Sequence, residues 1–196
     1  MADLDYHAPN LIDWEAAWAP YDEPTYRAAL RFIEPDDVVL DIGAGDLRFA
    51  RRAARIARRV IAIEQRAELL PFPASHSHTT PPLPSNLAVL CGDALTVPFP
   101  SGVTLAVLLM RHCRSFAQYV AKLRAVGCQR LMTNARWGMD VELVSLAPKS
   151  PYAAILPGWY ACLCGAVGFA QCPPEGLTPI ALTRVSQVEN CPACAG

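Results

Sequence analysis

Two groups of residues in this chain have the types and spacing to do chemistry. The first begins with Asp41-Ile42-Gly43-Ala44-Gly45, an acidic residue near the end of an apolar run followed by two glycines. Glycine is needed where a turn takes dihedrals that other residues avoid, or where a ligand must approach backbone closely. Glu64 ends the next apolar run, about 20 residues on, where a carboxylate can accept hydrogen bonds from both hydroxyls of a ribose. Asp93, in Cys91-Gly92-Asp93-Ala94 after a third run, stands where it could meet an adenine amino group. The second group is Cys162-Leu163-Cys164-Gly165 together with Cys191-Pro192-Ala193-Cys194. Four thiolates in two close pairs suit tetrahedral zinc, with Cys172 as a fifth possible ligand. Four protein ligands leave no position for an activated water, so such a metal would be structural.

The elements needed to position these residues can be read from the apolar pattern. Asp22-Glu23-Pro24 supplies acidic capping groups and a first-turn proline, and a helix is expected from about Pro24 to Phe32. Val38–Ile42, Val60–Glu64, Leu87–Cys91, Val103–Met110 and Arg130–Thr133 read as strands, mostly continuous apolar runs of the kind found in parallel sheets covered on both faces. A helical pattern follows the glycine turn to about Arg59, and another runs from Ser115 to Val126. Between Pro71 and Pro84 a Pro, Ser, His and Thr cluster without periodicity reads as a surface loop. This alternation predicts an α/β fold, a Rossmann-like doubly wound and mostly parallel sheet. Beyond Pro148 cysteine, proline and glycine accumulate, which places a boundary near 150: residues 1–150 carry the α/β domain with an N-terminal helical segment, and 151–196 form a cysteine-rich tail.

The ordered set of Asp41-x-Gly43-x-Gly45, Glu64 and Gly92-Asp93-Ala94 resembles the class I S-adenosylmethionine-dependent methyltransferase superfamily over about Pro24 to Thr133. The resemblance implies that Asp41, Gly43 and Gly45 flank the methionine end of the cofactor, that Glu64 holds its ribose, and that Asp93 with Ala94 meets its adenine. A nicotinamide dinucleotide site is the rival, but Arg48 falls where its third glycine would stand. Leu47 replaces a glycine that many methyltransferases carry at this point. The tail resembles a zinc ribbon whose first knuckle has one residue between its cysteines instead of two. It is too short to form a core from Leu163, Val167, Phe169, Ile180 and Val185 alone, so metal binding would supply its folding energy.

The methyl acceptor is less legible. Val60–Glu64 after a basic helix also looks like the ribosomal RNA adenine dimethyltransferase group, whose Asn or Asp followed by prolines and an aromatic after the fourth strand is replaced here by Met110-Arg111-His112-Cys113. Cys113 falls roughly where some cytosine-5 methyltransferases carry a nucleophile, and neighbouring His112 could take a proton near neutral pH; a structural cysteine and a polar loop histidine are the plainer readings. Arg48, Arg51, Arg52, Arg55, Arg58 and Arg59 crowd one expected helix, as a phosphate-contacting stripe or simply a solvated face opposite Phe49, Ala53, Ile56 and Val60. Of the 17 basic residues only Lys122 and Lys149 are lysine, so the arginines also fit a compositional bias. Trp14, Trp18 and Tyr21 could close over the cofactor or serve as packing anchors.

At 196 residues, 53% apolar and 18% charged, the chain has the composition of a folded globular protein, and a net charge of -1 gives no global attraction to nucleic acid. The first residues do not read as a secretory signal, and Tyr152–Ala170 is broken by Pro157, Gly158, Gly165 and Gly168, so no membrane span and a cytoplasmic location are expected. In that reducing compartment no disulfide-linked partner is expected. The expected activity is methyl transfer from S-adenosylmethionine, with nucleic acid, RNA foremost, ahead of a small molecule or protein as acceptor. The alternative is a non-catalytic S-adenosylmethionine or nucleic-acid binding module with a structural zinc.

Overall fold

The computed structural model describes residues 20–70, 82–111, 113–137 and 140–195. Trp14, Trp18, His112 and most of the expected surface loop lie outside them. The chain opens with α1 (Glu23–Leu30), where the Asp22 side chain accepts from the Thr25 N–H at 2.8 Å and Pro24 occupies the first turn. Then come β1 (Val38–Ile42), α2 (Arg48–Ala53), β2 (Arg59–Glu64), β3 (Leu87–Cys91), β4 (Leu105–Leu108), α3 (Phe116–Ala125), β5 (Arg130–Thr133) and β6 (Glu142–Ser145). These strands form one six-stranded sheet in the order β3-β2-β1-β4-β5-β6. Its first five strands are parallel, and β6 runs antiparallel to β5. The Rossmann-like, doubly wound reading holds.

Both faces of the central strands β1, β2, β4 and β5 are covered, which explains why they read as apolar runs, whereas edge strand β3 is mostly exposed despite its apolar sequence. Val39, Val60, Ala62, Leu105 and Val107 point to one core with Tyr26, Ala29, Phe49 and Ala53 from α1 and α2. Their neighbours Leu40, Ile42, Ile63, Ala106 and Leu108 point to the other, against Phe116, Tyr119, Val120 and Leu123 of α3. At the opposite edge from the glycine turn, buried Asp37 accepts from Thr104 Oγ1 at 2.6 Å and pairs with Arg130, tying β1 to the segments that open β4 and β5.

The helix expected to run to Arg59 stops at Ala53, because Arg59 already pairs with Val38 in the sheet and the chain must reverse before it. Asn86 Nδ2 donates to the carbonyls of Ala54 and Ala57 at 2.9 and 3.0 Å, satisfying backbone acceptors that the short helix leaves behind. The six arginines therefore do not share one helix. Ile56, assigned to the buried face, is 37% exposed. The fourth strand is likewise shorter than Val103–Met110, ending at Leu108 so that Leu109 to Arg111 are free to form a wall of the site described below.

A second sheet follows, in the order β7-β10-β8-β9, from β7 (Ser150–Pro151), β8 (Gly158–Cys162), β9 (Val167–Ala170) and β10 (Val185–Glu189), with α4 (Pro179–Thr183) before β10. Its own core is Cys162, Val188 and Cys191. Of the apolar residues read as too few for a core, Ile180 and Val185 are 71% and 45% exposed, and Leu163 is buried against the α3 side of the larger sheet. The two sheets touch at several points. Arg136 pairs with Glu142 and donates to Gln187 Oε1 at 2.8 Å, Arg124 pairs with Glu189 at 2.9 Å, and Phe116 lies 3.1 Å from where a Cβ on Gly165 would be. Among the described residues no helix is long and apolar enough to cross a membrane, and the stretch beginning at Tyr152 forms β8 and β9.

Candidate functional site

The link between β1 and α2 takes the left-handed region three times in five residues, at Gly43 (φ 72), Gly45 (φ 56) and Leu47 (φ 64). The glycines adopt it without strain. Leu47 does so as a fully buried side chain in the α1 and α2 core, so burial offsets a conformational cost of roughly 1 to 2 kcal/mol for a residue with a Cβ. The turn thus reaches, with leucine, a conformation that glycine adopts without strain. The N–H groups of Gly43 and Ala44 both donate to the Ile63 carbonyl, at 2.9 and 3.0 Å, fixing the turn to the end of β2.

Glu64 completes that attachment. It is 1% exposed; its Oε2 accepts from the Gly45 N–H at 2.8 Å, and its Oε1 accepts from Arg66 N and Nε at 2.9 and 3.1 Å. A carboxylate oxygen accepts about two hydrogen bonds, so one acceptor position on Oε2 stays free. Sequence reasoning assigned Glu64 to a ligand alone and missed this bond to the glycine turn. Asp93 accepts from the Leu95 N–H at 2.8 Å through Oδ1, which shapes the loop after β3. That loop is held from α3: the Lys122 ammonium donates to the carbonyls of Ala94, Leu95 and Val97 at 2.6, 2.7 and 2.8 Å and lies 4.4 Å from the Phe99 ring centre.

These parts surround one cavity of about 530 Å³ at the carboxyl ends of β1 to β4, a size suited to a nucleoside-sized ligand. Asp41, Gly43, Glu64, Asp93 and Ala94 all line it, whereas Gly45 contributes its N–H to Glu64 and no wall. Asp41 is the exceptional group. Its Oδ2 is buried without a hydrogen-bond partner, and burial, with the Glu64 charge in second place, pushes its carboxyl up to about 7. A buried acceptor of this kind normally has a partner.

The opposite wall is one that sequence reasoning passed over. Leu109, Met110 and Arg111 line it, with Tyr21, Asp22 and Tyr26 from the α1 end and Tyr119 from α3. Tyr21, read as a closing residue or a packing anchor, lines the cavity. Its hydroxyl accepts from the Arg111 N–H at 3.3 Å and its ring lies 4.8 Å beneath the guanidinium. Arg111 stood in plain view beside His112 and Cys113, the pair chosen for their chemistry. Cys113 packs, half-buried, against the α3 core and is not part of the cavity wall.

In the second sheet the sulfurs of Cys162, Cys164, Cys191 and Cys194 all lie within 4.8 Å of one another. Three of the separations are 3.6 Å (Cys162 to Cys194), 3.6 Å (Cys164 to Cys191) and 3.8 Å (Cys191 to Cys194). A disulfide needs about 2.05 Å, so these are four separate thiols. Cys172 lies outside the group, its sulfur against Gly176.

No family model matches this chain. A probable ribosomal RNA small subunit methyltransferase A from Methanosarcina mazei is 30% identical over 142 residues, covering 61% of this chain and 51% of the relative. Its namesake from Methanosarcina acetivorans is 41% identical over 68 residues, or 35% of this chain and 24% of that one. The chain therefore spans about half the length of the first of these relatives, and less of the second. Among solved structures, the YcgJ protein from Bacillus subtilis superposes with a TM-score of 0.48 and 18% identity over 57% of this chain and 50% of that one.

Proposed function

We propose that this chain binds S-adenosylmethionine across the carboxyl ends of β3, β2 and β1 and transfers its methyl group to RNA. One observation carries the reading: three carboxylates at three adjacent strand ends, Asp93, Glu64 and Asp41, line a single cavity beside the glycine turn, and one of them keeps an unpartnered buried oxygen. In this arrangement Asp93 meets the adenine with Ala94 beside it, the free acceptor position of Glu64 takes a ribose hydroxyl, and Asp41 with the Gly43 to Gly45 turn receives the methionine end. When bound, the sulfonium supplies an activated methyl that leaves by in-line displacement. The protein's part is to hold donor and acceptor in line and to exclude water, which can itself lower a barrier by several kcal/mol.

RNA as the acceptor is supported by the relatives, whose names describe ribosomal RNA methyltransferases. Nothing in Leu109 to Arg111 offers the side-chain amide or carboxylate that positions an exocyclic base amine. Cys113, away from the cavity wall, fits a structural role better than a nucleophile's. A cytoplasmic location belongs to the same reading.

For the tail we propose one structural zinc held by Cys162, Cys164, Cys191 and Cys194. Four sulfurs about 2.3 Å from a tetrahedral ion would stand about 3.8 Å apart, and the three separations above match that edge. The division into a unit of residues 1–150 and one of 151–196 is also part of the proposal. It is supported by β6 completing the first sheet at Ser145 and β7 opening the second at Ser150.

Titration calorimetry of the full chain with S-adenosylmethionine and S-adenosylhomocysteine tests the cofactor; binding to neither sinks the proposal. Incubation with methyl-labelled cofactor and separated RNA, protein and metabolites should label RNA. Label in another fraction moves the acceptor, and binding without label anywhere makes the chain a binding module.

A further inference from the structure

Among the described residues, buried side-chain nitrogen or oxygen atoms without a hydrogen-bond partner belong to three residues: Asp41, Arg111 and Asn134. All three stand at the carboxyl ends of β1, β4 and β5, strands that are neighbours in the sheet. Asp41 and Arg111 line the same cavity, and their strands pair directly, Asp41 lying opposite Val107. We propose that Arg111 completes the methionine end of that site, its guanidinium taking the carboxylate of the zwitterion whose ammonium faces Asp41. The inference rests on the S-adenosylmethionine reading and extends it to a residue on the far wall.

The strand order carries the argument. Adenine at β3, ribose at β2 and thioether near β1 send the remaining end of the ligand toward β4, the next strand in the sheet. Neighbouring parallel strands are about 4.8 Å apart, a distance that one α-amino acid group can bridge. The charges are opposite and correctly ordered. Arg111 is also prepared for an anion, because its guanidinium is planar, forked and stacked on Tyr21, which limits the freedom lost on binding. Its neighbour Met110 packs against the turn, with its Cε 3.1 Å from where a Cβ on Gly43 would be.

Rival partners for Arg111 are already engaged. Asp22 caps α1 through Thr25, whose hydrogen bonds hold its carboxyl below the ordinary range with a smaller contribution from the Arg111 charge. Glu64 pairs with Arg66, the other cation on the cavity wall. On the Asp41 side, burial favours the neutral acid, and an ammonium beside it would restore the carboxylate.

The test is calorimetry of the full chain with S-adenosylhomocysteine and with 5′-methylthioadenosine, which keeps the adenosine and thioether but lacks the amino-acid end. Arg111→Met should lose roughly ten- to a hundred-fold in affinity for the first and keep its affinity for the second, which also shows that the variant is folded. Arg111→Lys should recover part of the loss, and Asp41→Asn should show the same selectivity as Arg111→Met. Unchanged S-adenosylhomocysteine affinity in Arg111→Met and in Asp41→Asn, or equal losses for both ligands, overturns the inference while leaving the cofactor proposal standing. Wild-type protein that binds neither ligand defeats both.

Discussion

The glycine turn and the cysteine cluster hold their polar groups in opposite ways. At the turn a protein core is complete without a ligand: Leu47 is buried and Gly45 is bonded to Glu64, while the Asp41 Oδ2 is left buried without a partner. In the second sheet the core consists of Cys162, Val188 and Cys191, two of them members of the thiol cluster itself. One region keeps a buried group unsatisfied within an otherwise complete core, where the proposed cofactor would come and go. The other has little apolar burial of its own and, under the zinc proposal, folds around a permanent ligand.

The contrast is tested most severely at the cysteines. Protein purified without chelator should carry one zinc per chain by elemental analysis, and a Cys191→Ser and Cys194→Ser double variant should carry none. Hydrogen exchange should then show β8, β9 and β10 opening while β1, β2 and β4 stay protected; equal protection in both sheets would mean that the tail folds without metal. Because the tail packs on α3 and Tyr119 of α3 lines the cavity, cofactor affinity should fall by a few-fold and not vanish.

A smaller effect is expected at Asp41. Its folded value of about 7 lies above the ordinary 3.8, so the fold prefers the neutral acid: the stability it gives is full below about pH 4 and is lost as pH rises through 7. Asp41→Asn should therefore raise the unfolding free energy of the free protein at pH 8 by roughly 4 kcal/mol, with little change at pH 4. Denaturant melts at the two pH values measure the difference. An equal effect at both would show that Asp41 is already ionised and paired.

The smallest effect is predicted at Lys122. Lys122→Met removes three hydrogen bonds to the loop that follows Asp93, while the Met side chain can still cover Phe99. We expect a loss of about 1 to 2 kcal/mol in adenosine-type ligand binding, larger than the loss in global stability. If stability falls as much as binding, the lysine supports the whole fold and not the adenine side of the cavity.

The sheet was legible because its central strands are buried on both faces and read as apolar runs, and edge strand β3 shares that pattern although it is mostly exposed. Asp41, Glu64 and Asp93 were legible because strand ends at this spacing converge. Helix α2 was overextended because a run of alanine and arginine has high helix propensity, whereas the pairing of Arg59 with Val38, a tertiary constraint, ends it. Arg111 went unread because an isolated arginine carries no spacing signal; only the cavity gives it a role. The cysteines announced their cluster, whereas the packing of the apolar residues between them was not legible. A chain this short cannot show which of them will face a second sheet, and Leu163 left the tail core for the neighbouring one.

Leu47 has a consequence for how the cavity meets its ligand. A glycine at that position would let the turn sample many conformations when empty, and binding would have to select one of them. A leucine held at φ 64 by full burial has far fewer alternatives, so the turn already holds one shape, and association of the proposed cofactor would lose little backbone entropy there. The disorder that a flexible turn would surrender at each binding event is removed here once, during folding.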